Sequence, residues 1–285
     1  MLSRTCISLW DAIWWTAYDF NRFKKLVEVD RWQGVDVRGT PRGRMWEITD
    51  YSFQAPIPPT IGELQGQVAP NLPWAEDHFQ ERVSGQPLNP GEQFKNWPFF
   101  DKKWFEEKIQ TEPGFKFTHT YMERYWPPRE LMGIRYRYGD LNDVIDLLER
   151  EPYTRQAYLP VWFPEDTGAV HRGRVPCTLG YLFLLREGRL SITYYIRSCD
   201  FFRHFQDDIY LTARLLQHVL LKLQQRNPAF WNEVRTGYLT MHIGSLHIFE
   251  PEEGRLKRFL DNWERRRVSC IGEEDQQGPN VHADG

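Results

Sequence analysis

The sequence predicts an α+β fold in which helices flank a large mixed sheet in three layers. Two apolar runs, residues 179–185 and 190–196, are separated only by a short turn, which indicates a β-hairpin. A long amphipathic helix over residues 209–223 follows the hairpin. No linker interrupts residues 110–250, so we expect a single domain over residues 1–270.

In the N-terminal half, residues 10–27 place apolar side chains at roughly helical spacing and predict a helix. Residues 52–75 contain five prolines, which predicts mostly irregular chain. Residues 75–83 have few helix breakers and predict a short helix that ends at Ser84-Gly85.

The second half has clearer periodicity. Residues 141–150 carry an apolar helical stripe, and residues 155–163 predict a strand. Residues 238–243 and 246–249 predict two further strands. Residues 271–285 are polar and predict a flexible tail.

Composition excludes several classes of protein. The chain has 285 residues, and 36 basic against 39 acidic side chains give a net charge of −3, so no basic surplus indicates nucleic acid binding. No apolar run reaches the roughly 18 residues of a membrane span. The four cysteines form neither a disulfide framework nor a zinc pattern, so we expect a reducing, cytoplasmic setting and no metal. Glycine loops that bind phosphate are absent from the sequence.

Cys177 is a candidate nucleophile. It stands in Val175-Pro176-Cys177-Thr178, just before a predicted strand, and the nearby Arg172 and Arg174 favour a thiolate. The alternative is a small buried core residue, which is the usual role of a free cysteine.

A second polar cluster, Arg197-Ser198-Cys199-Asp200, follows a predicted strand. Arginine with serine suits a phosphate site, because both donate hydrogen bonds to phosphate oxygens; the alternative is a solvated turn. Asp208 lies near the start of the long helix, where an acidic residue also complements the helix dipole. His247 lies between apolar neighbours and by itself indicates a core histidine.

Taken in order, these parts resemble the thymidylate synthase superfamily. The predicted helix 141–150 is followed by Arg155-Gln156, Pro176-Cys177, the hairpin, the Arg-Ser-Cys-Asp motif and Gly244-Ser-Leu-His-Ile-Phe249. Synthases show the same succession, with a Pro-Cys nucleophile, an Arg-Ser-x-Asp motif and a Gly-Asp-x-His-x-Tyr motif. The resemblance implies a thymidylate synthase-like fold, methylenetetrahydrofolate as co-substrate, a pyrimidine nucleoside monophosphate as substrate, and a homodimer.

The resemblance also implies roles for individual residues. Cys177 corresponds to the nucleophile that adds to C6 of the pyrimidine, and Tyr121 to a tyrosine that assists proton removal at C5. The substrate-binding residues it implies are Arg197 and Ser198 for the phosphate, Arg155 for the phosphate of the neighbouring subunit, Asp200 for orientation of the base, and His247 for the sugar.

One departure from the synthase pattern concerns the base. Eight positions after the aspartate of the motif, synthases have an asparagine that recognises uracil, whereas this chain has Asp208. In this respect it resembles the deoxycytidylate hydroxymethylases. A carboxylate accepts a hydrogen bond from the C4 amino group of cytosine, and a mismatch there costs about 1–3 kcal/mol. We therefore expect 5-hydroxymethylation of dCMP or CMP.

Other departures leave alternatives open. Gln156 replaces a second arginine, Thr178 replaces a histidine, and Phe249 replaces a tyrosine that contacts the sugar, so ribose and deoxyribose both remain possible. A thymidylate synthase acting on dUMP and a catalytically inactive nucleotide-binding homologue are the competing interpretations. A phage that modifies its DNA, or a biosynthetic cluster, would use the hydroxymethylated product.

The remaining candidates come from the N-terminal half. The family needs a helical glutamate as general acid and base; Glu81 is the first choice and Glu76 the second, each with a solvated helix charge as the alternative. Arg42 in Pro-Arg-Gly is preferred over Arg38 for a further phosphate contact. The region of Trp97 and Trp104 could form a folate wall, with Trp104 as the candidate cofactor-binding residue, or could belong to the core.

Overall fold

The computed structural model describes residues 2–32, 35–127, 140–167 and 174–274. The helices are α1 (Leu9–Phe23), α2 (Ile61–Val68), α3 (Trp74–Arg82), α4 (Lys102–Thr111), α5 (Tyr121–Tyr125), α6 (Leu141–Arg150), α7 (Phe205–Arg226), α8 (Pro228–Trp231) and α9 (Glu253–Glu274). The strands are β1 (Leu2–Thr5), β2 (Lys25–Glu28), β3 (Arg31–Trp32), β4 (Val35–Asp36), β5 (Arg44–Pro56), β6 (Tyr158–Pro160), β7 (Thr178–Arg186), β8 (Arg189–Asp200) and β9 (Arg235–Phe249).

Among the described residues, a seven-stranded mixed sheet forms the centre of the molecule. Its order is β1-β5-β9-β8-β7-β6, and β2 pairs with the other part of β5. The pairs β1·β5 and β8·β9 are parallel, whereas β5·β9, β7·β8 and β6·β7 are antiparallel. The predicted α+β class, with a large mixed sheet flanked by helices, is confirmed.

Alternation along the strands directs one set of side chains into the core. Leu239, Met241 and Ile243 of β9 are buried, whereas the intervening Thr240 and His242 stay partly exposed. Helix α7 packs against β8 and β9 and also contacts α2, α3 and α6. Because α7 begins directly after β8, its first turn lies at the end of the sheet where β8 stops.

Several predicted elements have different bounds in the structure. The helix predicted over residues 10–27 ends at Phe23, and the long helix begins at Phe205 instead of residue 209. The strand predicted over residues 155–163 is only Tyr158–Pro160. The hairpin is confirmed, with its turn at Glu187-Gly188, where both residues have positive φ.

The prediction that residues 52–75 are mostly irregular is wrong. Strand β5 continues to Pro56, and α2 follows because Thr60 and Glu63 form a capping box: each side chain accepts from the other residue's backbone N–H. The prolines lie outside α2 and therefore do not interrupt it.

The two strands predicted over residues 238–243 and 246–249 form one strand, β9. The strand passes through Gly244, where a Cβ atom would lie 2.9 Å from the carbonyl oxygen of Arg197. Glycine therefore allows the close approach of β9 to β8. Residues 275–285 of the predicted tail lie outside the described residues, and α9 continues to Glu274. Within the described ranges, no helix is both long and apolar enough to cross a bilayer.

Candidate active site

Cys177 lies directly before β7, in a loop that Arg197 of β8 holds in place. The Arg197 guanidinium donates to the carbonyl oxygens of Pro176, at 2.9 Å, and Val175, at 3.2 Å. Its Nη2 atom is 4.0 Å from the Cys177 sulfur. Burial raises the pKa of the Cys177 thiol, and the charges of Arg197 and Arg174 oppose that rise. A partly buried thiol beside two cations is suited to form a thiolate during a reaction.

The other predicted phosphate ligands differ in their surroundings. Arg155 is exposed and has no bonding partner among the described residues. Ser198 is half-buried on β8, where it pairs in register with Ser245 of β9. Arg172 lies outside the described residues. Arg197 and Ser198 thus belong to the same strand end as Cys177, and Arg155 remains available to a second subunit or a ligand.

Asp208 lies in the first turn of α7, beside a cysteine of β8. The Cys199 sulfur is 3.8 Å from Oδ2 of Asp208 and can donate to it. Burial raises the pKa of Asp208 to about 7, Arg82 lowers it, and Asp207 raises it further. The neighbouring Asp207 has a structural role, because its carboxylate accepts from the backbone and side-chain amides of Asn71 at 2.9 and 2.7 Å. Asp208 is therefore the aspartate of this pair that is free to meet a ligand.

Tyr121 belongs to a line of hydroxyl groups next to Cys177. Its hydroxyl is 3.0 Å from Thr178 Oγ1, which is in turn 2.9 Å from the Tyr194 hydroxyl. Burial raises the pKa of Tyr121 to about 12. Thr178, which replaces a histidine of the family pattern, thus ties the tyrosine on α5 to the sheet beside the candidate nucleophile.

Asp200 shapes the turn between β8 and α7. Its Oδ1 accepts from the backbone amides of Phe202 and Arg203, both at 3.1 Å, and its Oδ2 accepts from Arg203 Nη1 at 2.9 Å. Arg203 also donates to both carboxylate oxygens of Glu252, just before α9. The predicted role of Asp200 in orienting the base stays a prediction, and this geometry shows that Asp200 orders the chain that carries Asp208.

His247 and Phe249 lie at the end of β9. His247 pairs in register with Asp200, and burial lowers its pKa. The Phe249 ring meets Trp32 edge-on at 5.3 Å, and the Arg42 guanidinium lies 5.2 Å from the Trp32 ring centroid. Arg42 therefore reaches the same end of the sheet as Phe249.

Arg38 has a different environment from Arg42. It is exposed and forms an ion pair with Asp36. This pairing agrees with the choice of Arg42 for the phosphate contact, which remains a prediction.

Glu81 supports a loop in this conformation. Its Oε1 accepts from the backbone amides of Glu92 and Gln93, and its Oε2 lies 3.5 Å from Nδ1 of His78. A Cβ atom at Gly91 would lie only 2.6 Å from Oε1, so the loop fits closely around the carboxylate. These contacts hold the Glu81 carboxylate to the loop after α3, and its catalytic role stays a prediction.

Glu76, the second choice, is bound from another side. Both of its oxygens accept from Arg214, each at 2.9 Å, and Oε2 also accepts from the Tyr210 hydroxyl at 2.6 Å. Burial acts to raise the pKa of Glu76, but these hydrogen bonds bring that pKa below its usual value. Glu76 thus connects α3 to α7, and its catalytic role also stays a prediction.

Trp97 contacts the residue that begins the turn before α7, whereas the contact of Trp104 is within the segment that carries α4. Trp104 is 46% exposed on α4 and touches Phe115 edge-on at 5.9 Å. Trp97 stacks on His204 with centroids 4.9 Å apart and planes 13° apart, and its buried Nε1 has no hydrogen-bond partner among the residues that the structure describes. A flat face with a spare donor fits a heteroaromatic ring such as the pterin of a folate.

Sequence reasoning missed His204 and Arg82. His204 begins the turn before α7, and burial with the charges of Arg174, His247, Arg203 and Arg82 lowers its pKa to about 3. Arg82 ends α3, and its guanidinium carbon lies 3.9 Å from the Tyr121 ring centroid. His204 could have been suspected because it stands one helical turn before Asp208. No sequence signal distinguishes Arg82 from a surface arginine. Within the described part of the chain, no cluster of His, Cys, Asp and Glu could hold a metal ion.

The part of the chain that is similar to known proteins contains most of the site residues described above. Residues 81–271 match the family model described as Thymidylate synthase. A protein of Methanosarcina barkeri (strain Fusaro / DSM 804), named "Putative thymidylate synthase", is 26% identical over 151 residues, which are 53% of this chain and 62% of that protein. Proteins with the same name from Methanosarcina acetivorans and Methanothermobacter thermautotrophicus are each 27% identical, over 53% and 50% of this chain and 66% and 65% of theirs. The matches thus span less than two thirds of each relative.

Proposed function

Because the chain belongs to the thymidylate synthase family, we propose that it transfers a one-carbon unit from methylenetetrahydrofolate to C5 of a cytidylate, dCMP or CMP, and leaves a 5-hydroxymethyl group. The observation that carries the choice of cytosine is Asp208, which stands at the position where a synthase has asparagine. Its carboxylate lies beside the Cys199 sulfur. A carboxylate accepts from the C4 amino group of cytosine and repels the C4 carbonyl oxygen of uracil.

The side chains around Cys177 suit covalent catalysis. Addition of the Cys177 thiolate to C6 makes C5 of the pyrimidine nucleophilic, which divides a difficult substitution into easier steps. Arg197, 4.0 Å from the sulfur, favours the thiolate. In this mechanism the Tyr121 hydroxyl, which is hydrogen-bonded to Thr178, assists removal of the C5 proton. Bound methylenetetrahydrofolate would supply the one-carbon unit, and tetrahydrofolate and the C5 proton then leave. Water adds to the resulting exocyclic methylene group to give the hydroxymethyl product, and the bond between C6 and the Cys177 sulfur breaks to restore the thiolate.

Methylation of dUMP is the second candidate function, favoured by the name of the three relatives. One experiment separates the two. Tritium release is measured from C5-labelled dCMP, CMP and dUMP, each with methylenetetrahydrofolate, and the products are weighed by mass spectrometry. Release from a cytidylate with a hydroxymethyl product supports the proposal, and the faster of dCMP and CMP gives the sugar. Release only from dUMP with a methyl product contradicts it.

A catalytically inactive homologue is tested by thiol alkylation. Nucleotide bound in the site should protect Cys177 from alkylation, whereas a protein without a nucleotide site should show equal rates with and without cytidylate. Protection without tritium release from any substrate would indicate a nucleotide-binding protein instead of an enzyme.

The proposed enzyme is a homodimer that uses the partly exposed face of the sheet. On this face Tyr195 of β8 stacks with His242 of β9 at 5.3 Å, and Tyr238 is 40% exposed. Large aromatic side chains are common at interfaces, because they bury much surface with little loss of conformational freedom. The exposed Arg155 would then bind the phosphate held by the other subunit.

Arg155→Ala should weaken cytidylate binding about tenfold or more, because a charge-assisted hydrogen bond to phosphate is lost. Binding is measured by isothermal titration, and the dimer by sedimentation. Arg150→Ala is the matched control, since Arg150 is also exposed but is paired with Glu151. Unchanged binding in Arg155→Ala, or loss of the dimer, would contradict the assignment across subunits.

Glu81→Gln should lower C5 tritium release about 100-fold or more if Glu81 moves to act as general acid and base. Glu76→Gln is its counterpart on the same helix. It should lower the melting temperature, because Arg214 loses its buried partner, and leave tritium release within a few-fold of the wild type. Equal activity losses in the two variants would remove Glu81 as the preferred candidate.

A further inference from the structure

Cys199 belongs to the Arg-Ser-Cys-Asp motif of β8 but points away from its two neighbours in that motif. Successive side chains of a strand lie on opposite faces of the sheet, so Ser198 and Asp200 share one face and Cys199 lies on the other. On that face its sulfur contacts Asp208, in the first turn of α7. Cys199 is fully buried. The motif thus has one member that faces the candidate base-recognising residue instead of the predicted phosphate site.

The contact between Cys199 and Asp208 is a hydrogen bond with a defined direction. The Cys199 sulfur is 3.8 Å from Oδ2 of Asp208, and neither side chain has another hydrogen-bond partner among the described residues. Burial raises the pKa of the Cys199 thiol well above its usual value, so the sulfur keeps its hydrogen near neutral pH. A carboxylate only accepts, and a thiol sulfur is a weak acceptor. Cys199 is therefore the donor and Oδ2 the acceptor.

The second oxygen of this carboxyl group, Oδ1 of Asp208, is open. It has no hydrogen-bond partner within the described part of the chain, and the protein atoms there do not cover it completely. Asp208 as a whole is half-buried. The two oxygens diverge from one carbon atom, so Oδ1 points away from the Cys199 sulfur. Oδ1 is the oxygen that water or a ligand can reach.

The backbone on both sides of this contact is held in place. Cys199 pairs in register with Leu246 of β9, near the centre of the sheet. The backbone N–H of Asp208 donates to the carbonyl oxygen of His204 at 2.7 Å, and Thr212 Oγ1 donates to the carbonyl oxygen of Asp208 at 2.7 Å. The freedom that remains to Asp208 is rotation of its side chain. A hydrogen bond from the thiol restricts that rotation before a ligand binds, which lowers the cost of binding.

The thiol selects the same ligand-facing oxygen in both protonation states of Asp208. Burial raises the pKa of Asp208 to about 7, so the ionised and the neutral form are both present near that pH. In the ionised form Oδ2 accepts from Cys199, and Oδ1 is able to accept from an amino group of a ligand. In the neutral form the proton lies on Oδ1, because Oδ2 is already an acceptor. Without the thiol, either oxygen could turn toward a ligand.

We propose that Cys199 is a positioning residue for base selection, because its thiol holds Oδ2 of Asp208 and thereby presents Oδ1 to the amino group of a cytosine ring. The inference rests on the proposed function for the identity of the base, whereas the hydrogen bond between Cys199 and Asp208 does not. A thiol is a weak donor. It therefore orients the carboxylate and leaves most of its capacity to accept from the ligand.

The first test is infrared spectroscopy of the S–H stretching band in the ligand-free protein. This band moves to lower frequency when a thiol donates a hydrogen bond, and Cys199→Ala identifies the Cys199 band by its loss. The band should lie below that of Cys6, a buried thiol without a hydrogen-bond partner among the described residues. Asp208→Leu removes the acceptor and should move the Cys199 band up to the frequency of a free thiol.

A second variant keeps this test decisive if Asp208→Leu does not fold. Asp208→Asn retains an oxygen that accepts more weakly than a carboxylate, so the Cys199 band should move part of the way toward the free frequency. An unchanged band in the folded variant would overturn the proposal, because the thiol would then not donate to Asp208.

The second test is the base preference, measured as kcat/KM for dCMP and dUMP by tritium release from C5. Cys199→Ala should reduce the preference for dCMP about 3- to 10-fold, which is the range expected for one net hydrogen bond. Cys199→Ser keeps a donor and should retain the preference within about twofold. Cys6→Ala is the matched control, since it removes a buried thiol of the core and should leave the preference unchanged.

A double-mutant cycle separates positioning from packing. In an Asp208→Asn background, Cys199→Ala should have no further effect on the preference, because the carboxylate that the thiol orients is gone. Equal losses for both nucleotides, additive with those of Asp208→Asn, would assign Cys199 to packing alone and overturn the proposal. If the wild type acts on neither nucleotide, the proposed function fails, and the S–H band still decides whether Cys199 holds Asp208.

Discussion

Asp208→Asn is expected to reduce the preference for dCMP over dUMP by about 5- to 150-fold, which corresponds to about 1–3 kcal/mol for one buried donor–acceptor mismatch. The amide of asparagine can turn to donate or to accept, so it no longer rejects the uracil carbonyl. The measurement is kcat/KM for both nucleotides by tritium release from C5. Asp207→Asn is the matched control, since Asp207 binds Asn71 and should leave the ratio unchanged.

The same substitution should also change the pH dependence. Burial raises the pKa of Asp208 to about 7, so the wild-type carboxyl is mostly ionised above that pH and mostly protonated below it. Activity on dCMP should therefore fall as the pH drops through about 7, and Asp208→Asn should lose this dependence. A constant base preference in Asp208→Asn, with the wild-type pH profile, would show that Asp208 does not contact the base.

Cys177→Ser is expected to lower turnover by a factor of about 1,000 or more. A serine hydroxyl has a far higher pKa than a thiol, and no general base lies within hydrogen-bond distance of this position among the described residues, so the attacking anion is not formed. Nucleotide affinity should change by less than about threefold, because Arg197 and the loop it holds remain in place. Tritium release and titration calorimetry measure the two effects.

Cys6→Ser is the control for loss of a thiol in general. Cys6 lies in the core, where burial raises the pKa of its thiol to about 11, so it should react slowly with alkylating agents and contribute nothing to turnover. If Cys177→Ser retained more than a tenth of the activity, Cys177 would not be the nucleophile and the covalent route would be wrong.

Periodicity predicted the parts of the fold that have a strong local signal. Leu141–Arg150 is a helix with the predicted bounds, because its apolar stripe and its capping aspartate, Asp140, agree. The β7–β8 hairpin was predicted because its turn and its alternation agree. Helix α2 gives a weaker local signal, because prolines stand on both sides of it although none lies within residues 61–68.

The sequence predicted the site residues only where their motifs lie at the same end of neighbouring, consecutive elements. Cys177, Arg197 and Asp208 lie together because β7, β8 and α7 follow one another along the chain. Arg82 reaches the Tyr121 ring only after α3 packs against α5, and such contacts between distant segments leave no periodic signal in the sequence. The environments of Glu76 and Glu81 were unpredictable for the same reason, since their partners lie on α7 and in the loop after α3.

The position of β9 in the sheet governs when the protein can fold during synthesis. Although β9 is the last strand among the described residues, it is the only one that joins the β1–β5 half of the described sheet to the β6–β7–β8 half. Each half keeps an open edge until the ribosome has released residue 249, and closing such a long loop is slow. Two unpaired edges at that stage invite pairing with other chains, so a nascent chain of this protein should depend on chaperones until β9 has emerged.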